Sequence, residues 1–258
     1  MKQSFLYNTK AEILKCRNTS AIWLTLLAAA FLPAINCLIL LGRPDVFVPK
    51  LKIDPWLIFL RMNWKNGASI ILPLYVILLN NAIVQIEYRN NTWKQVYALP
   101  RRYTDIFFSK WVVVLGFLAA FFIFFNSCMI GAGLVTGWIN NGYVFSSRPL
   151  PYKTMLILSG RIGWGILGVT ALQFWLSLRF RNYIVPIAVG IGLLVTGLVL
   201  MDWDKIIYYP YVHSLFLFMA GAPGHPATLQ SMMINAGLAF ILLLLAGCRD
   251  IYMLKEKG

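Results

Sequence analysis

Stretch after stretch of this chain runs for about twenty residues or more without a charged side chain, which is the length of helix that crosses a bilayer core about 30 Å thick. Asn18 to Gly42, Asn66 to Ile86, Trp111 to Ser147, Asn182 to Met201 and Ile206 to Cys248 contain no Asp, Glu, Lys or Arg. In hydrocarbon every backbone N–H and C=O must find its partner within the protein, so uncharged runs of this length fold as helices. The composition agrees: 59% of the residues are hydrophobic and 12% charged, with mean hydropathy +0.70. A soluble domain is about 45–50% apolar and roughly 25% charged. The chain is therefore read as an all-α integral membrane protein.

The uncharged runs divide into six transmembrane helices. The first four are Asn18 to Gly42, Asn66 to Ile86, a long third that starts at Trp111 and leaves through a Gly/Asn-rich exit near Trp138 to Gly142, and a fourth that starts near Thr154 and carries Arg161. The fifth is Asn182 to Met201 and the sixth Gln230 to Cys248. Between the fifth and sixth, Ile206 to Met219 is too short to cross, and Ala220 to Pro226 breaks it from the sixth span; it is expected to form short re-entrant helices covered by protein. Phe5 to Lys15 mixes Leu6, Ile13 and Leu14 with Lys10, Glu12 and Lys15, a pattern that predicts a helix lying in the interface. Residues 1–258 make one transmembrane domain, and no small-residue cleavage site follows the first apolar run.

The formal net charge is +14, from 23 Lys and Arg against 9 Asp and Glu. In a soluble protein that balance would suggest nucleic acid, but no basic-aromatic module accompanies it. In a membrane protein it follows from cytoplasmic loops that collect Lys and Arg and face anionic lipid, so the expected partner is the bilayer. The bias favours both termini in the cytoplasm. The exception is the first outer segment, where Arg43, Lys50, Lys52, Arg61 and Lys65 crowd together.

Catalytic chemistry is not expected. The two histidines, His213 and His225, stand in no metal-binding pattern, and Cys16, Cys37, Cys128 and Cys248 are far apart in sequence. No phosphate-binding GxxxxGK[ST] loop is present, and Gly160, Gly163, Gly165 and Gly168, like Gly133 and Gly137, suit close helix packing. Arg161 lies about 10 Å from the outer end of the fourth span, at 1.5 Å per residue. It either snorkels outward or lines a pathway, paired with Asp202 or Asp204.

One polar passage interrupts the apolar chain in an organised way, from Glu87 through Arg89, Asn90, Thr92, Trp93, Lys94, Tyr97, Pro100, Arg101 and Arg102 to Lys110. It reads as a basic hairpin at the membrane surface. A Glu closing the second span, a short Asn-Thr-Trp-Lys segment, a Pro and a Lys opening the third span resemble the cytoplasmic loop of type-2 ABC exporter permeases. The likeness is greatest to the bacterial branch that includes lantibiotic-immunity permeases. One departure is Tyr103, where that family often carries Arg. Ser177 to Asn182 is similar to the second cytoplasmic turn of such permeases, and Tyr208 to Tyr211 to their re-entrant stretch.

The resemblance implies a transmembrane subunit in the bacterial inner membrane, without an ATPase of its own. A second permease chain, identical or related, would share the pathway, and separate ABC ATPase subunits would hold ATP and Mg. The hairpin would be the coupling contact, through Glu87, Arg89, Asn90, Thr92, Trp93, Lys94 and Tyr97. The alternative is an ATP-independent secondary transporter or channel, which would need ionisable groups at mid-membrane depth.

Overall fold

Thr19 opens the first long helix: its hydroxyl accepts a hydrogen bond from the Ala21 N–H, as an N-cap does where the first turn has no carbonyl to bond. The computed structural model describes residues 2–17, 19–90, 103–220 and 228–256, and these residues contain helices and no strand. α1 (Lys2–Cys16) is followed by α2 (Ser20–Gly42), the short α3 (Pro44–Lys50) and α4 (Pro55–Asn66). Asp54 caps α4 by accepting from the Leu57 N–H at 3.1 Å, with Pro55 in the first turn, where its missing N–H costs nothing. A π turn (Gly67–Ile71) carries α4 without interruption into α5 (Leu72–Arg89). Then come α6 (Tyr103–Ile139), α7 (Tyr152–Arg179), α8 (Ile184–Val199), two 3-10 turns (Ile206–Tyr208 and Pro210–Val212), α9 (His213–Met219) and α10 (Leu229–Glu256).

Among the described residues, five helices are long and apolar enough to cross a membrane: Ser20–Gly42, Pro55–Tyr88, Thr104–Ile139, Tyr152–Arg179 and Leu229–Met253. α8 is apolar but only 16 residues long. α2 packs along α6, α5 lies against α7 and α8, and α10 covers α7, while α1 runs beside the start of α6. Aromatic rings fill the centre, with Trp64 and Phe125 centroids 4.3 Å apart and Tyr75 and Phe121 4.6 Å apart. Buried polar groups mostly bond helix to helix. Asn36 donates to Asn63 at 3.0 Å, and Tyr75 donates to the Phe117 carbonyl at 3.1 Å.

The second spanning helix starts eleven positions before the point that the uncharged run predicts. Trp56, Phe59, Leu60, Asn63 and Trp64 of α4 are buried, so this helix belongs to the core and not to an outer loop. Arg61 and Lys65, four residues apart, share the exposed side of α4. Counting residues between charges ends a span too early when the charges lie on one face and reach outward.

The segment after α8 is folded and buried. Tyr209 and Pro210 wedge between α7 and α8: the Tyr209 hydroxyl donates to the Leu193 carbonyl at 2.8 Å, and its ring lies where a Cβ on Gly197 would come within 2.9 Å. α9 begins against a notch in α7, because a Cβ on Gly165 would meet the Ser214 N at 2.8 Å and the His213 carbonyl at 2.9 Å. Ser214 in turn donates to the Ala68 carbonyl at 2.8 Å, inside the π turn. His213 is buried with Nε2 3.0 Å from the Ile207 carbonyl, a structural role. Gly163 faces the Phe122 ring and Gly168 faces Ala239 and Pro210, whereas Gly160 faces open space and is no packing contact. Gly133 receives the rings of Trp56 and Phe145, and Gly137 lies against the Phe145 Cβ and the Tyr143 carbonyl.

Gly165→Ala is expected to lower stability by about 1–3 kcal/mol, since the added methyl meets fixed backbone. Gly160→Ala should be neutral or stabilising by up to about 1 kcal/mol from helix propensity. Thermal unfolding of both variants in detergent micelles checks the contrast, and equal effects would mean that α9 does not rest on that notch.

Candidate functional site

At one end of the bundle α5 finishes and, beyond residues 91–102, α6 begins. Glu87 lies in the last turn of α5, where the helix dipole disfavours an anion, so a direct cationic partner has to offset its placement there. That partner is Lys110, two turns into α6, whose Nζ lies 2.5 Å from Glu87 Oε1. α1 adds a second pair from the side. Lys110 Nζ is also 2.5 Å from Glu12 Oε2, while Lys15 Nζ lies 2.6 Å from Glu12 Oε1 and 3.1 Å from Glu87 Oε1. The four side chains close a ring of alternating charge. Two lysines balance two carboxylates.

Depth differs around the ring. Glu87 and Lys110 are 1% exposed, Glu12 11% and Lys15 36%, so the α1 half faces outward. Burial alone would raise the Glu12 pKa, but Lys110 and Lys15 beside it hold the carboxyl below the usual glutamate range. For Lys15, burial alone would lower the pKa, and bonds to Glu12 and Glu87 raise it above the usual lysine value. Cys16, at the end of α1, is buried beside the ring, and burial pushes its thiol up to about 11. Glu87 Oε2 is buried without a hydrogen-bond partner.

Two further ties hold this end together. Tyr88 donates to the Leu178 carbonyl at 2.8 Å and Gln85 to the Phe180 carbonyl at 3.3 Å, which joins the foot of α5 to the turn after α7. Trp175 donates to Asp250 at 2.9 Å, and Arg179 lies 3.7 Å from the same carboxylate, which joins α7 to α10. Ser177 to Asn182 therefore sits beside the hairpin feet.

Next to the ring opens a cleft of about 770 Å³ between the start of α2, the end of α5 and the start of α8. Its lining is polar at the hairpin end, with Thr19, Asn81, Gln85, Asn90 and Tyr183. Asn81 carries a buried amide oxygen without a hydrogen-bond partner. Leu24 and Leu78 lead from there into an apolar groove of about 200 Å³ bordered by Leu27, Phe31, Leu74 and Tyr75.

Of the residues predicted for the hairpin, Glu87 is in the ring and Asn90 is exposed at the cleft. Arg89 supplies the last backbone turn of α5. Thr92, Trp93, Lys94 and Tyr97 lie outside the described residues, as does His225. At the opposite end the expected ion pair is not formed: Arg161 is half-buried on α7, Asp202 and Asp204 are exposed, and none of the ion pairs among the described residues joins them. Asp202 and Asp204 follow the end of α8 in an exposed turn, where water solvates the carboxylates and an ion pair gains little. Sequence reasoning missed that Glu12 and Lys15 meet Glu87 and Lys110. The available signal was their i,i+3 spacing, which puts both charges on one face of α1.

The family model of ABC-2 family transporter proteins matches residues 9–197, from within α1 to within α8. The chain belongs to the ABC-2 transporter family. No curated protein and no solved structure matches it. It is thus a multi-pass membrane protein and an ABC transporter permease, of a family whose members are transmembrane subunits that work with ATPase subunits and are generally not catalytic themselves. The matched region of the permease contains all four residues of the charged ring.

Removing one member of a buried pair costs about 3–5 kcal/mol, because the other charge is left behind. Lys110→Met should therefore destabilise the permease strongly, and adding Glu87→Gln should recover at least about 1 kcal/mol of the loss. Unfolding of the single and double variants in micelles measures this, and additive losses would mean that the two do not act as a pair. The pH dependence has a defined sign. The Glu12 contribution is present above the ordinary glutamate range and is lost as pH falls through its lowered pKa; the Lys15 contribution is lost as pH rises through its raised one. Melting temperature against pH for wild type and Glu12→Gln should converge at the acid end.

Proposed function

We propose that this permease is the transmembrane subunit of an exporter for an amphipathic or peptide-like substrate, of the kind found in bacterial lantibiotic immunity. ATP and Mg bind to separate ATPase subunits, which seat on residues 90–102, and a second permease chain, identical or related, completes the pathway. The observation that carries this reading is the amphipathic cleft beside the ring: hydrogen-bonding groups at the hairpin end give way to Leu and Phe side chains towards mid-bundle. A molecule with a polar head and an apolar body matches that gradient, since each part meets groups of its own kind.

The topology proposed is six spans with both termini cytoplasmic in the bacterial inner membrane. α8 is the fifth: its 16 residues reach about 24 Å at 1.5 Å per residue, and flanking residues cover the remainder of a core about 30 Å thick. Ile206 to Met219 is then re-entrant, entering and leaving on the outer side, supported by its burial against α7 and by its lack of length. In this arrangement Glu87 and Arg89 stand at the foot of the coupling contact, and Thr92, Trp93, Lys94 and Tyr97 form its face. An amphipathic segment with one large aromatic anchor and adjacent charges suits a groove in a soluble partner. Arg161, Asp202 and Asp204 stand at the outer mouth as separate charges.

Replacing Trp93 and Lys94 together by Ala is expected to leave the permease in the membrane and its thermal stability unchanged. ATP hydrolysis stimulated by a fluorescent Lys/Leu amphipathic peptide should fall by about tenfold or more, the loss of a central anchor worth about 2 kcal/mol. Undiminished stimulation in reconstituted vesicles would overturn the coupling role.

A further inference from the structure

The charged ring divides into two halves that are each neutral. Glu87 and Lys110 belong to the feet of the hairpin, and Glu12 and Lys15 belong to α1. If α1 lifts away, the feet keep a closed ion pair and α1 carries its own i,i+3 pair into water. Neither side is left with the net buried charge that makes the breaking of such clusters costly. The exposures run the right way for this: the α1 half is the one that reaches solvent, and the deep half is 1% exposed.

α1 is also joined tightly to the cleft wall. Only Arg17 to Thr19 separate it from α2, and this joint is bonded shut by Thr19, whose N–H and hydroxyl both donate to the Cys16 carbonyl, at 3.1 and 2.9 Å. Thr19 and Ser20 line the cleft themselves. A displacement of the feet that pulls on Glu12 therefore reaches the cleft through a joint that the two Thr19 bonds hold short.

We propose that α1 is a moving part of the transport cycle, in which Glu12 positions the hairpin feet against the cleft wall by engaging Lys110 in one state of the ATPase and releasing it in another. This inference rests on the reading of residues 90–102 as the ATPase contact, and it adds to that reading a mechanical link and the residue that makes it. Glu12 acts through Lys110 and Glu87 and is a positioning residue.

Cys16 is a built-in reporter, being 2% exposed at the end of α1 beside the ring. The experiment uses the permease co-purified with its ATPase in vesicles, with Cys37, Cys128 and Cys248 replaced by Ser so that Cys16 alone reacts. The rate of maleimide labelling is measured without nucleotide, with ATP, and with ATP plus vanadate. Labelling should differ between nucleotide states by about fivefold or more, the size of an ordinary coupling between sites. Glu12→Gln should raise labelling in every state and abolish the difference. It should also lower the amount of the Lys/Leu peptide moved per ATP hydrolysed about tenfold, and Glu12→Asp should restore both. A merely structural role would lower the amount of folded protein and leave that ratio unchanged. Lys15→Gln, on the exposed half of the ring, serves as a second variant should Glu12→Gln fail to accumulate, with the same loss of state dependence expected.

Equal Cys16 labelling in all nucleotide states of the wild-type complex, or an unchanged transport ratio in both variants, would overturn the inference. That result would leave peptide-stimulated hydrolysis by the wild type intact. Absence of that stimulation in the wild type would instead defeat the exporter reading.

Discussion

Two lysines and two glutamates, drawn from three helices and largely removed from water, set the conditions under which the rest of this bundle can assemble at its hairpin end. An isolated charge there would be expelled or neutralised, and a single pair would leave part of its desolvation uncompensated. The closed ring balances the charges and shares them, with each lysine touching both carboxylates, and leaves Glu87 Oε2 as its one oxygen without a hydrogen bond. Because the ring takes members from α1, α5 and α6, it fixes where the feet of the hairpin stand relative to each other. The ties from Tyr88 and Gln85 to the end of α7 extend that platform to the neighbouring turn. Specificity of position, more than net stability, is what such a buried network contributes.

Elsewhere the bundle is held by packing of large rings and by a small number of polar bonds. In hydrocarbon the helices gain little from the hydrophobic effect, so close contact and hydrogen bonds carry the association. The notch at Gly165, the Tyr209 ring on Gly197 and the Ser214 bond into the π turn illustrate both devices around one buried segment. Together they bring a short helical stretch deep into the bundle with its backbone covered by protein, the condition under which irregular backbone survives at depth.

Much of this was legible in the sequence, and the failures have identifiable causes. The uncharged runs located most of the long helices, because exclusion of charge from hydrocarbon acts on each residue locally. The same rule misread α4, whose Arg61 and Lys65 lie on one exposed face while Trp56, Phe59 and Trp64 are buried on the other. Glu87 and Lys110 stood out as the ends of one polar passage, but their contact with Glu12 and Lys15 could not be seen, since α1 and α6 are nearly a hundred residues apart in the chain. The expected partnership of Arg161 with Asp202 or Asp204 failed for the converse reason. Nearness along neighbouring spans did not reveal that both aspartates sit in an exposed turn, where water takes the place of an ion partner.

The π turn at Gly67–Ile71 bears on how this chain can change over time. A turn wound one residue wide rotates everything after it by about 100° relative to a plain α-helix, the angular step of a single residue. α4 and α5 are thereby set to present their apolar sides to the same core, with Trp64 buried before the turn and Tyr75 after it. Loss of one residue from this segment would let the turn close to an ordinary helix with both faces kept, whereas rewinding the same residues as α-helix would turn the two rods against each other. Arg61 and Lys65 would swing towards the aromatic core, or Asn80, Asn81 and Glu87 would leave their places. A single-codon deletion inside this turn is thus a milder event than one elsewhere in α4 or α5, where no spare residue exists and the loss would rotate one rod against the other.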